Sequence, residues 1–182
     1  MRKLFKRSIA LFALALLLVS MVYFPPKASA ANLFYGDYTD AAVIADYGSC
    51  PSMQGLAVGS QMLYSIKIKT DETRAFISMT DKDTGTTTKM YNSDNGSYYF
   101  TDMGHANDMD VWGIDGSSHL FITSTIVGDG TIVRYKRSSS NLSKVGSYSL
   151  SYNGSQMWCS GLSIMSVSGG KITFLVKNGM NL

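Results

Sequence analysis

Glutamate is almost missing from this chain: Glu72 is the only one in 182 residues. Proline is scarce too, with three residues in all, two of them adjacent at Pro25-Pro26. A chain so poor in both, and rich in Gly, Ser, Thr and Tyr, disfavours helix and favours strands joined by turns. Histidine is limited to His105 and His119, and cysteine to Cys50 and Cys159. No nucleophile signature surrounds either cysteine, so a Cys–His protease arrangement has no support. No Gly-x-Ser-x-Gly, phosphate loop or His-Glu-x-x-His occurs. No catalytic residue is therefore assigned, and no cofactor or metal is expected. Beyond the amino end, clustered basic charge is lacking as well. Lys136-Arg137 is a short pair at a strand end, not the basic surface that a nucleic-acid partner requires.

The amino end carries the clearest signal. Arg2, Lys3, Lys6 and Arg7 precede an apolar run from Ile9 to Phe24, which Pro25-Pro26 ends. Ala28-Ser29-Ala30 then supplies the small-x-small site of a signal peptidase, with cleavage between Ala30 and Ala31. The alternative is a retained membrane anchor. A spanning helix needs about 20 apolar residues, and this run is shorter and stops at a proline pair, so a cleaved signal and a secreted protein are expected. Residues 1–30 hold five of the sixteen basic residues and no acidic one. Without them eleven basic groups face thirteen acidic ones, a net charge of −2. The basic pI of about 8.8 thus describes mostly the export segment.

The remainder repeats itself. Gln54-Gly55-Leu56-Ala57-Val58, Asn107-Asp108-Met109-Asp110-Val111 and Ser160-Gly161-Leu162-Ser163-Ile164 each precede a glycine turn and a second apolar strand. Gly55, Asp108 and Gly161 are spaced by 53 residues each time. In the first two units two further strands follow, at Arg74–Thr80 and Thr86–Tyr91, then at Thr131–Tyr135 and Val145–Leu150. Four strands per unit of this length is the pattern of a propeller blade. Tyr64, Ile66 and Ile68 alternate with Ser65 and Lys67, as on a strand with two different faces. Ile132 to Tyr135 alternate less cleanly, which suits a strand covered on both sides. A β-sandwich also has strands at short intervals, but the fixed period favours a partial β-propeller of about two and a half four-stranded blades. The expected layout is a signal at 1–30, a lead-in at 31–49, and the all-β propeller region at 50–182, with units starting near 54, 107 and 160. Propellers close with about four to eight blades. Three explanations stand for the shortfall: a truncated reading frame, ranked first, a partner chain that completes the ring, or self-association.

The stretch Met103-Gly104-His105-Ala106-Asn107-Asp108-Met109-Asp110, followed by Leu120–Thr125, resembles secreted propeller proteins of Gram-positive bacteria related to helveticin J, a large bacteriocin. Gln54–Ala57 and Ser160–Ser163 fall at matching places, and the resemblance covers about residues 50–182. It implies a five-bladed propeller, an extracellular setting, and antibacterial or envelope-binding activity toward a cell-wall glycan or other bacterial surface target. This chain matches only the amino-terminal half of that pattern.

His105, Asn107, Asp108 and Asp110 form the densest polar group and the candidate ligand site. At the leading end of an innermost strand they would open on a central channel, where a sugar hydroxyl or a metal could bind. Two carboxylates beside an imidazole also suit acid–base work, so a glycan hydrolase is one alternative; a truncated or subunit half-propeller with no activity alone is the other. The structural reading is that Asp and Asn bond turn backbones. Asp81-Lys82-Asp83-Thr84-Gly85 lacks the ligand spacing of a calcium loop and is expected to be a tight turn. Tyr35, Tyr38, Tyr47, Tyr98, Tyr99 and Phe100 suit either sugar stacking or packing between blades, with packing favoured. Trp112 and Trp158 are expected in the core or between blades. Export permits a Cys50–Cys159 disulfide; two free buried thiols, or pairing with an absent half, are the other readings.

Overall fold

The computed structural model describes residues 42–126 and 129–178. The export segment, its Ala30–Ala31 cut and Tyr35 and Tyr38 lie outside the described residues. The chain is all-β, with no helix among the described residues. Strands β1 (Ser52–Val58), β2 (Met62–Ile68), β3 (Ala75–Asp81) and β4 (Thr87–Lys89) pair antiparallel in chain order and make the first sheet. Strand β5 (Tyr91–Asn92) leaves that sheet for the next one. There β6 (Met109–Ile114), β7 (Ser117–Ile126), β8 (Asp129–Ser138) and β9 (Asn141–Ser149) form a second antiparallel meander, and β5 lies parallel on the β9 edge. A small hairpin, β10 (Ser151–Tyr152) with β11 (Ser155–Gln156), leads to the third sheet, β12 (Cys159–Ser168) with β13 (Lys171–Asn178). All these sheets are open.

Turn chemistry sets where the strands reverse. Asp115-Gly116, Asn153-Gly154 and Gly169-Gly170 sit between paired strand ends with positive φ at both residues. Two-residue turns of that hand match the twist of the flanking strands, and Asp, Asn and Gly adopt it at least cost. Asp81-Lys82-Asp83-Thr84-Gly85 is a tight turn, as its composition suggested. The Asp81 carboxylate accepts the Asp83 and Thr84 backbone N–H groups and the Thr84 hydroxyl at 2.9–3.0 Å.

Two apolar layers separate the three sheets. Between the first and second lie Ala57, Tyr64, Ile66, Ile77, Leu120, Ile122, Val133 and Tyr135. Between the second and third lie Phe121, Ile132, Leu162 and Ile164, with Phe174 packed against them. Residues alternate across β8, so Val133 and Tyr135 face one layer and Ile132 the other. The strand is covered on both sides, as its sequence predicted. Each large apolar side chain so buried contributes about 1.5–3 kcal/mol, which makes these layers the main source of cohesion.

Two expectations need correction. Strand β2 alternates in sequence, yet Tyr64 to Ile68 are all buried. Its polar face is covered too: Ser65 shares a 2.6 Å hydrogen bond with Ser78, and Lys67 Nζ donates to Ile44 O and pairs with Asp46. The lead-in segment supplies this cover, and Tyr47 lays its ring on Phe76 at 4.7 Å. Trp112 and Trp158 are not core residues. They are 36% and 38% exposed, because the apolar layers are filled by smaller aliphatic chains and by Phe and Tyr.

Candidate functional site

The group His105, Asn107, Asp108 and Asp110 does not form one open site. Asp108 Oδ1 accepts the Met109 N–H at 2.9 Å, while its Oδ2 accepts the Leu162 N–H of β12 at 2.8 Å. Asp110 repeats the arrangement two residues on, with Val111 N–H at 2.8 Å and Ile164 N–H at 2.7 Å. Both carboxylates therefore bolt β6 to β12, whose outward N–H groups β13 cannot reach. The i, i+2 spacing puts both on one side of the strand, aimed at alternate N–H groups of the neighbour. Glycine allows the matching close approach of β1 to β6: a Cβ on Gly55 would lie 3.1 Å from the Met109 nitrogen. The turn-bonding reading of these aspartates is thus closer to the mark than a ligand site at a channel mouth, although the backbone they bond belongs to the next sheet.

His105 turns elsewhere. Its Nδ1 lies 2.6 Å from Glu72 Oε1, on the loop between β2 and β3. Asn107 is half-buried ahead of β6. Cys50 and Cys159 are both free and buried, which corrects the disulfide. Their thiols face different carbonyls, Gly48 and Arg74 for Cys50 and Gly161 for Cys159. Burial pushes both thiols above their ordinary pKa.

A polar cleft of about 160 Å³ lies elsewhere, lined by Asn92, Asp94, Asn95, Thr101, Asp102, Tyr135 and Lys144. Tyr135, otherwise part of the first apolar layer, donates its hydroxyl to Asp102 Oδ1 at 2.7 Å. Lys144 Nζ holds Asp102 Oδ2 at 2.7 Å, and its backbone N–H donates to Asp94 Oδ2 at 2.7 Å. Burial, then the bond to Asp102, keeps the Tyr135 phenol protonated far above its usual range. Asn92 and Asn95 brace the loop: each donates to Tyr99 O, at 3.1 and 3.0 Å. Asn92 Oδ1 accepts the Asp94 N–H and Asn95 Oδ1 the Ser97 N–H. Asp94 Oδ1 keeps no partner among the described residues, and Lys144 has donor capacity left over. The cleft is therefore lined by both a carboxylate acceptor, Asp94, and an ammonium donor, Lys144.

The same loop leaves Tyr98 45% exposed, edge-on to Tyr91 and with Lys89 Nζ over its ring. Phe100 is fully buried against Tyr135, so the aromatic set divides between surface and core. Sequence reasoning missed this cleft because its members come from residues 92–144 and carry no joint motif. The one local signal was the run Asn92-Ser93-Asp94-Asn95-Gly96, which is dense in turn-forming side chains. Among the described residues no group of three His, Cys, Asp or Glu stands close enough to hold a metal ion. The chain matches no family model, no curated protein and no solved structure.

Proposed function

We propose that the chain is a secreted, non-catalytic, propeller-type binding protein of the helveticin J-like kind. In this reading the Asp94–Lys144 cleft takes hydroxyl groups of a bacterial envelope glycan. The carrying observation is the cleft itself: it is lined both by Asp94, one carboxylate oxygen of which has no partner among the described residues, and by Lys144, whose ammonium is held on Asp102. A sugar hydroxyl donates to one and accepts from the other, and neighbouring hydroxyls repeat the pattern. Tyr98 adds an exposed ring, with an apolar face and a polar tip, on the same loop. The propeller part draws support from two consecutive four-stranded meanders, the 53-residue spacing, and first strands β1, β6 and β12 that lie side by side. A hydrolase using Asp108 and Asp110 loses its footing, since each carboxylate already accepts two backbone N–H groups.

Pull-down on purified Gram-positive wall glycan tests the reading. The wild type should be retained, and Asp94→Asn and Lys144→Met, made singly, should each lower retention about tenfold, the loss expected for one charge-assisted contact. Failure of the wild type to bind any wall preparation would end the proposal.

A further inference from the structure

A second cavity, of about 230 Å³, lies where the turn between β1 and β2 meets the second sheet. Ser60, Gln61, Tyr64, Ser118 and Arg137 line it. Arg137 continues the β8 face that carries Val133 and Tyr135 into the first apolar layer. Its guanidinium donates only to Met79 Sδ at 3.1 Å and Ser139 O at 3.5 Å, and among the described residues it has no carboxylate partner. A half-buried cation set against a thioether and one long carbonyl contact is under-compensated. Tyr64 is 1% exposed, lines the same cavity, and its hydroxyl has no hydrogen-bond partner among the described residues. Among the described residues the fully buried side-chain polar atom without a partner is Arg74 Nε, so the Tyr64 hydroxyl keeps some solvent access and is open to a further partner.

The surrounding charge favours an anion. Lys82 Nζ donates to the carbonyl of Gly59, which also lines the cavity, at 2.9 Å. One carboxylate, Asp83, stands at the rim, where Gln61 Nε2 donates to it at 2.7 Å. Arg137 is thus the one charged residue among those that line the cavity.

We propose that this cavity is a site for a small oxyanionic group, gripped by the Arg137 fork with the Tyr64 and Ser118 hydroxyls as further donors. The group is a phosphate or a carboxylate carried on a larger ligand; the shared requirement is two or more oxygens sharing a negative charge, which a guanidinium binds in pairs. The site is separate from the Asp94–Lys144 cleft and does not depend on that cleft binding sugar.

The experiment is an amide-resolved NMR titration of the full chain with inorganic phosphate and, in parallel, with glucuronate, each at ionic strength matched with sodium chloride to remove screening effects. Saturable shifts at Ser60, Gln61 and Ser118 are expected in at least one arm, and the responding arm identifies the oxyanion. Arg137→Gln should weaken that response about tenfold or more, and Arg137→Lys should weaken it less. Lys136→Gln, on the other face of β8, should leave it unchanged, and melting curves of each variant should stay close to the wild type. Linear shifts in both arms, or an Arg137→Gln variant that folds and responds like the wild type, would overturn the proposal.

Discussion

Replacing Asp108 and Asp110 together by Asn separates a bolt from a binding site. Each carboxylate now accepts one N–H from its own strand and one from β12. An amide of the same shape has one acceptor oxygen, so at each position its NH₂ is turned against a backbone donor. A hydrogen bond to a charged group is worth about 1.5–3 kcal/mol, and half-buried positions belong at the lower end. The double variant should lose about 3 kcal/mol. For a chain of this size that lowers Tm by about 6–12 °C. Hydrogen exchange read residue by residue is the sharper assay. The Leu162 and Ile164 amides should exchange faster in the variant, while Ile66 and Ile77, deep in the first sheet, should change little at temperatures well below Tm. Unchanged protection at Leu162 and Ile164, or an unchanged Tm, would refute the bolt.

Three further outcomes follow from the packing and the titrating groups. Phe121→Ala should cost about 3–5 kcal/mol by chemical denaturation, since Phe121 is fully buried between the second and third sheets and meets Phe174 at 5.5 Å. His119, 4% exposed, is held below its ordinary pKa first by burial and then by the Arg134 and Lys136 charges, while its Nδ1 accepts from Arg134 Nε. The unfolded chain therefore takes up that proton first, so this contribution to stability is whole above the unfolded value of about 6.5 and falls as pH drops from there toward the lower folded pKa. His119→Gln should flatten the difference in denaturation midpoint between pH 7.5 and 5. The two thiols should react with a colorimetric thiol reagent only on unfolding, and reductant should leave Tm unchanged, because both cysteines are free and buried. Rapid reaction in the native state, or a Tm that falls with reductant, would contradict that arrangement.

The strands were legible in the sequence because their signals are local. Turn pairs such as Asp115-Gly116 and Gly169-Gly170 demand positive φ, and apolar runs between them have strand length. The 53-residue spacing put Asp108 and Gly161 at equivalent places in successive units, but it did not foretell that the Asp108 carboxylate reaches Leu162, the residue after Gly161. What the spacing could not convey is how the carboxylates are used. An aspartate bonding a neighbouring strand reads the same in sequence as one awaiting a ligand. The buried polar face of β2 was hidden for a related reason: Lys67 looks solvated until the lead-in segment brings Ile44 and Asp46 over it. The tryptophans misled through size alone, as bulk raises the prior for burial without deciding it. The cleft was invisible because Asp102, Tyr135 and Lys144 meet only after two sheets have folded.

The division of labour between the two aspartate-bearing regions is tested most directly by an NMR shift map with a soluble fragment of wall glycan. The cleft should respond: saturable shifts at Asp94, Asn95, Tyr98 and Lys144, with Met109 to Val111 and Leu162 to Ile164 silent. Shifts centred on Asp108 and Asp110, with the 92–99 loop unmoved, would contradict the account.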